Sequence, residues 1–147
     1  MAFKDFYGRL ILVMIMVVDG LYLITHPQGP ADLFKQGYLD TQASLQSVSG
    51  YSFPVSPQVI NENAVYIMVV AGFFEITGAL LTVLGYKLGA LIVACQYITA
   101  NVLVHNPLYY QSSQEKVEEA MQAILNFGVV SALLISVGQP SCPKLSS

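Results

Sequence analysis

The sequence predicts an all-α integral membrane protein built as a four-helix bundle, and three observations lead to that fold class. Four apolar stretches run through the chain, each near the roughly 20 residues, with a range of about 17–25, that a helix needs to cross a bilayer. Only 10% of the 147 residues are charged, whereas a soluble domain carries about 25%. Proline and glycine clusters separate the stretches. The four apolar stretches are Leu10–Ile24, Ala64–Leu84, Leu88–Val104 and Ala120–Val137.

The first helix is predicted over about residues 7–25. It ends before His26-Pro27-Gln28-Gly29-Pro30, because proline cannot continue the backbone hydrogen-bond ladder. The charged N-terminal flank resembles that of a signal peptide. No small-residue cleavage site follows Ile24, so the segment is interpreted as a retained span.

A long polar loop is predicted over residues 26–61, inside a single domain that covers residues 1–147. Within this loop, Ala31–Leu39 mixes apolar with polar side chains. Two interpretations stay open for it: one or two helical turns lying on the membrane surface, or an ordinary ordered loop.

The second helix is predicted over about residues 62–84, with Asn61 as its N-cap. A short link, Gly85–Gly89, joins it to a third helix over about 88–105, which predicts an antiparallel hairpin. The fourth helix is predicted over about 113–137, because Ser112 and Glu115 have the spacing of a capping box.

Charge and motif content argue against several function classes. The net charge is −3 and no basic tract occurs, so nucleic acid is not an expected partner. No nucleophile, nucleotide-binding or metal-ligand motif is present, so we expect neither an enzyme nor a metal site. The two cysteines, Cys95 and Cys142, are interpreted as free thiols. We expect no tightly held cofactor. We do expect bound lipid, and the sequence leaves open whether a quinone also binds.

Three ionisable residues fall within or beside the apolar stretches: Asp19, Glu75 and His105. Such groups are costly in lipid, so each is a candidate functional residue. Glu75, in mid-helix, is predicted either to fasten its helix to a neighbour or to hold a proton or a ligand such as a quinone carbonyl. A helix-capping role is favoured for His105. The polar residues of the neighbouring helices that could meet Glu75 are Gln96, Thr99, Asn101 and Asn126.

Small residues form lines along the helices. Gly128, Ala132 and Ser136 are spaced four apart on the fourth helix, and Gly78 precedes Thr82 by four on the second. Such faces let helix backbones approach closely. They predict helix packing, either inside the bundle or against another subunit.

The hairpin Gly72-Phe-Phe-Glu75-Ile-Thr-Gly78, continuing to Gly85 and then to His105-Asn106-Pro107, resembles the core of the DoxX-like membrane proteins. This resemblance implies a four-helix bundle in a bacterial or organellar membrane. Some members are similar to small subunits of quinone-linked oxidoreductases, and more distant eukaryotic relatives act in cargo sorting. Of the residues that the family pattern highlights, Glu75 and His105 match.

These observations predict a non-catalytic accessory subunit of a larger membrane complex, assigned to the mitochondrial respiratory chain and its electron transport. Other membrane subunits and lipids are the expected partners. Four spans place both termini on one side. More Lys and Arg residues fall on that side, which predicts termini in the matrix of a mitochondrial inner membrane. A quinone-binding or redox-linked subunit is the alternative, and a transporter or cargo receptor the third.

Overall fold

A computed structural model of the chain describes residues 2–107 and 112–138. Within these residues the chain forms five α-helices and no strand, so the predicted all-α class is confirmed and the predicted count of four helices is wrong by one. The helices are α1 (Ala2–Thr25), α2 (Gln28–Ser49), α3 (Pro57–Val83), α4 (Lys87–Leu103) and α5 (Ser113–Gly138).

The extra helix, α2, occupies most of the segment predicted as a polar loop. It begins directly after Pro27 and ends at Gly50, whose φ of 69° is the left-handed conformation that commonly closes a helix. Proline interrupts α1 but is tolerated at a helix start, where the first amides have no intrahelical partner anyway. Ala31–Leu39 is therefore helical, as one of the two interpretations predicted, and the helix is longer than the one or two turns expected.

The start of α3 also differs from the prediction. Asn61 was expected to cap this helix, but it is exposed within α3. The N-cap is Ser56, whose Oγ accepts the backbone N–H of Val59 at 3.4 Å, and Pro57 takes the first helical position. Proline is favoured there because its fixed φ suits a helix start.

Helices that pack against each other in the bundle run in opposite directions. A turn through Gly85, with φ of 84°, reverses the chain between α3 and α4. Asn101 meets Asn126 and His105 meets Glu119, so α4 and α5 are antiparallel as well. Gly72 lies against Leu23 and Ile24, whereas Gly20 lies against Ile76 one turn further along α3, so α1 is antiparallel to α3.

Two helix crossings are close enough to require glycine. A Cβ on Gly72 would lie 2.5 Å from the carbonyl oxygen of Gly20, so α1 and α3 meet backbone to backbone. A Cβ on Gly89 would lie 2.5 Å from the carbonyl oxygen of Gly78, so α3 and α4 also meet backbone to backbone. Such close approach lets the buried polar side chains nearby reach across the interface.

The helix α2 turns away from α1 by 91° and lies across the end of the bundle where α4 finishes and α3 begins. Gly37 packs directly on the carbonyl of Leu103. The Tyr38 hydroxyl donates to the carbonyl of Val55 at 2.6 Å, which ties α2 to the segment before α3. This helix therefore closes one end of the bundle.

Fewer helices of the described residues meet the length and composition of a membrane span than the four predicted. In the described residues, α3 and α5 are long and apolar enough to cross a membrane, and α1 reaches this standard only as a bent pair with α2. The helix α4 has 17 residues, at the lower limit of about 17–25 for a span. By length and composition alone, two helices qualify, or three with the bent pair, against the four predicted spans.

Candidate functional site

Glu75 lies at the centre of the polar site inside the bundle. Its side chain is 1% exposed. Its Oε1 accepts a hydrogen bond from the Tyr97 hydroxyl at 2.8 Å, and its Oε2 accepts one from the Gln96 amide at 3.2 Å. Both donors come from α4, so this carboxyl fastens α3 to α4. Gln96 was among the predicted partners of Glu75.

A second carboxyl joins the same cluster from α1. Asp19 Oδ2 lies 3.2 Å from the Tyr97 hydroxyl, so three helices meet at one phenol oxygen. That hydroxyl has a single hydrogen and donates to one carboxylate at a time. Simultaneous hydrogen bonds to both carboxyls require a further proton on one of them. We call Asp19, Glu75, Gln96 and Tyr97 the carboxyl cluster.

Tyr97 was not among the predicted site residues. In the sequence it stands inside an apolar stretch, where a tyrosine ring is compatible with packing alone. One signal was available, because Tyr97 precedes Asn101 by four residues and the two therefore share a helix face. Asp19 was singled out, but its convergence with Glu75 depends on the crossing of α1 and α3.

A cavity of about 520 Å³ adjoins the carboxyl cluster, which is within the roughly 300–1,000 Å³ usual for small-molecule sites. All five described helices contribute to its wall, with Pro30, Leu33 and Phe34 of α2 closing one end. The members of the carboxyl cluster line its polar part. Its apolar wall includes Leu23, Ile67, Met68 and Ala71.

A separate polar contact joins α4 to α5. The Asn126 amide donates to Asn101 Oδ1 at 2.8 Å, and the Asn101 amide donates to the carbonyl of Ala123 at 3.3 Å. Gln122 completes it by donating to Asn126 Oδ1 at 3.3 Å. Asn101 and Asn126 therefore bond to each other rather than to Glu75, although both had been predicted as its partners. We call Asn101 and Asn126 the amide pair.

His105 lies near the end of α4 and also lines the cavity. Its Nδ1 lies 2.8 Å from Glu119 Oε2, and the two side chains are 23% and 22% exposed. His105 thus links α4 to α5, whereas the C-cap of α4 is Val104. No group of three or more potential metal ligands occurs within residues 2–107 and 112–138.

The small-residue lines serve two different surfaces. Gly78 lies inside the bundle, where an added Cβ would come within 2.6 Å of Val93 Cγ2. Gly128 and Ala132 are exposed on α5, and an added Cβ on Gly128 would meet nothing within 4 Å. Ser136 falls in the last turns of α5, beyond the part whose side chains are described. Thr99 and Cys95 are exposed on α4, and Cys142 lies outside the described residues.

The helical bundle, its apolar surface and the partly open cavity beside Glu75 define a small integral membrane protein with a candidate ligand site. The family model for DoxX matches residues 5–106; the chain belongs to the DoxX family, as its sequence resemblance indicated. The matched region contains the whole carboxyl cluster and His105, whereas α5 lies beyond it. Neither the curated proteins nor the solved structures contain a match.

Proposed function

We propose that this protein is a membrane subunit that holds a small lipid-soluble molecule in the cavity beside Glu75. One observation carries the proposal. A cavity of about 520 Å³ places a buried carboxyl and its hydrogen-bond partners beside apolar walls. Sites for small molecules have this composition: mainly apolar lining with a few convergent polar groups.

A purely structural role for Glu75 accounts for its two hydrogen bonds to α4 but leaves the cavity unexplained. Protein interiors are close-packed, with few voids larger than a water molecule. Here a far larger space, open on the side where the exposed Cys95 and Thr99 line it, adjoins the most deeply buried carboxyl of the described chain. An occupant that fits this space satisfies both observations, because it fills the cavity and bonds to its polar lining.

Our proposal assigns no reaction to the chain itself. The cluster residues form hydrogen bonds with one another: Tyr97 contacts both carboxyls, and Gln96 donates to the second oxygen of Glu75. Such an arrangement can bind and orient a ligand. Any chemistry on the ligand would take place on a partner protein.

A quinone is the ligand class that the family resemblance favours, in line with a redox-linked membrane subunit. Tyr97 and Gln96 are donors of the kind that quinone carbonyls accept. To reach a quinone they would have to release Glu75, to which both are bonded in this structure.

A second candidate function is that of an accessory subunit in a larger membrane complex, and the outward face of α5 favours it. Gly128 and Ala132 are exposed there, and α5 packs mainly on α4 within the described bundle. Such a face suits the close approach of a helix from another subunit. The respiratory chain, the mitochondrial inner membrane and matrix-facing termini belong to this proposal. With α1, α3, α4 and α5 all crossing the membrane, the distribution of Lys and Arg supports that orientation.

Solvent extraction of the purified protein, followed by mass spectrometry, tests the proposed ligand site. We expect a lipid-soluble small molecule to copurify with the protein at a fixed ratio. Ala71 lines the cavity, so Ala71→Phe should fill it and displace that molecule. Ala43→Phe, at an exposed position on α2, serves as the matched control. Equal ligand content in A71F and the unaltered protein would refute the proposal.

Purification in a mild detergent tests the accessory role separately. We expect other membrane proteins to copurify at a fixed ratio. The Gly128→Leu variant should no longer copurify with them, because the larger side chain prevents close approach of a partner helix to α5. Leu134→Ile alters an exposed residue on another side of α5 and should leave them bound. Migration of the unaltered protein as a lone bundle would contradict this role.

A further inference from the structure

The carboxyl cluster presents more hydrogen-bond acceptors to the cavity than donors. Asp19 and Glu75 supply four carboxyl oxygens, each with two acceptor positions when ionised. The donors at the cluster are the Gln96 amide and the single hydrogen of the Tyr97 hydroxyl. Both make a hydrogen bond to Glu75, at 3.2 and 2.8 Å. A complementary ligand therefore brings hydrogen-bond donors of its own.

The charge of the cavity lining leads to the same requirement. Among the described residues, no Lys or Arg lies within ion-pair distance of Asp19 or Glu75. The lining residue able to carry positive charge is His105, and Glu119 holds it at 2.8 Å. A carboxylate without a compensating charge is costly in an apolar medium. A positively charged ligand group would supply that compensation.

The remaining wall suits the rest of such a ligand. Leu23, Ile67 and Met68 offer apolar surface, and the rings of Tyr22 and Phe34 also line the cavity. Aromatic faces attract organic cations, while the aliphatic side chains accommodate an apolar body. Together, acceptors and aromatic rings favour a cation over a neutral ligand.

We infer that the cavity binds a lipid-soluble organic amine in its protonated form. Its ammonium N–H groups donate to Asp19 and Glu75, and its apolar body lies between α1, α2 and α3. This ligand class rests on the proposed function, since it occupies the same cavity. It differs from a quinone, whose carbonyls are acceptors and would compete with Glu75 for the same two donors.

A matched pair of probes tests the ligand class: 4-phenylbutylamine, which is protonated at neutral pH, and the neutral alcohol 4-phenylbutanol. Isothermal titration of the full-length protein in maltoside micelles measures both affinities. Heat from partition into the micelle is removed by repeating each titration with the cavity-filling variant A71F. We expect the amine to bind about tenfold more tightly than the alcohol, as charge-assisted hydrogen bonds require.

Three variants assign the difference to the cluster. Glu75→Gln and Asp19→Asn should each weaken amine binding about tenfold and weaken alcohol binding much less. Glu62→Gln removes an exposed carboxyl from the same helix as Glu75, outside the cavity, and should change neither. Circular dichroism monitors folding. Asp19 is exposed, so D19N supplies the result even if E75Q does not fold.

Equal affinities for the amine and the alcohol would overturn this inference, as would unchanged amine binding in D19N. A decyl-substituted benzoquinone is the third probe. If it binds to the unaltered protein and not to A71F, while the amine does not bind, the amine assignment fails and the proposed ligand-binding function stands. If none of the three probes binds, the amine assignment and the proposed ligand-binding function both fail.

Discussion

The amide pair and the carboxyl cluster are both polar contacts between helices, yet they differ in their balance of donors and acceptors. In the amide pair, each side chain donates one hydrogen bond, and both side-chain oxygens accept one. In the carboxyl cluster, two acids share few donors and border a cavity. A balanced contact fastens helices and needs nothing more. An unbalanced one is completed by a proton or by a ligand.

Exchanging the side-chain chemistry of the two regions gives the largest expected effect. Asn101→Asp would remove the donor to Ala123 and place a carboxyl in a balanced, buried contact. We expect a loss of about 3 kcal/mol or more in the free energy of unfolding, as for an uncompensated buried charge. Urea or mixed-micelle unfolding measures it. Asn63→Asp, on the exposed side of α3, should change stability by less than about 0.5 kcal/mol. Equal effects of the two substitutions would disprove the burial argument.

The glycine crossing beneath the carboxyl cluster gives the next largest effect. Gly72→Ala forces α1 and α3 apart, because the new Cβ would lie 2.5 Å from the Gly20 carbonyl oxygen. We expect a loss of about 1–3 kcal/mol, typical of overpacking. Gly128→Ala adds the same methyl group to open space on α5 and should raise stability by up to about 1 kcal/mol. The same unfolding assay compares them; a G72A as stable as G128A would argue against the close crossing.

Breaking the amide pair from both sides measures its coupling. Asn101→Leu leaves the Asn126 amide without its 2.8 Å acceptor. We expect a loss of about 1–2 kcal/mol from such an unsatisfied buried group. Adding Asn126→Leu removes the orphaned amide, so the double variant should lose about 1 kcal/mol less than the two single losses combined. Strict additivity in this double-mutant cycle would show that the two amides act independently.

The opposite exchange, Glu75→Gln, should have the smallest effect on stability. The new amide still accepts one hydrogen bond and adds two donors to a cluster rich in acceptors. We expect the free energy of unfolding to change by less than about 0.5 kcal/mol. A loss above 2 kcal/mol would mean that the ionised carboxylate itself fastens α3 to α4, and the contrast between the two regions would disappear.

Most of the helical framework could be predicted from the sequence, because long apolar stretches between breakers leave few alternatives. The hairpin of α3 and α4 follows from its short link, and α5 begins within a residue of its predicted start. The helix α2 was missed because its polar composition resembles a loop. Its helical state depends on packing at Gly37 and Tyr38 against the end of the bundle.

The candidate site was only partly predictable, for a related reason. Glu75 stands out in one dimension because a carboxyl in an apolar stretch is rare. Tyr97 does not, since a tyrosine in a helix is ordinary until it lies between two carboxyls. The exchange of partners, with Asn101 bonded to Asn126 instead of Glu75, depends on helix rotation, which apolar composition leaves undetermined.

The shortness of α4 has a consequence for the lipid around it. Seventeen residues at 1.5 Å each reach about 25 Å, whereas a typical hydrocarbon core is about 30 Å thick. The difference is a hydrophobic mismatch, relieved when the surrounding bilayer thins or when another part of the protein covers the gap. Since α2 lies across the end of α4, with Gly37 on the Leu103 carbonyl, it is the part of the protein placed to cover that gap. Because α2 and α4 both line the cavity, a change in membrane thickness that moves α2 relative to α4 would also change the shape of the cavity.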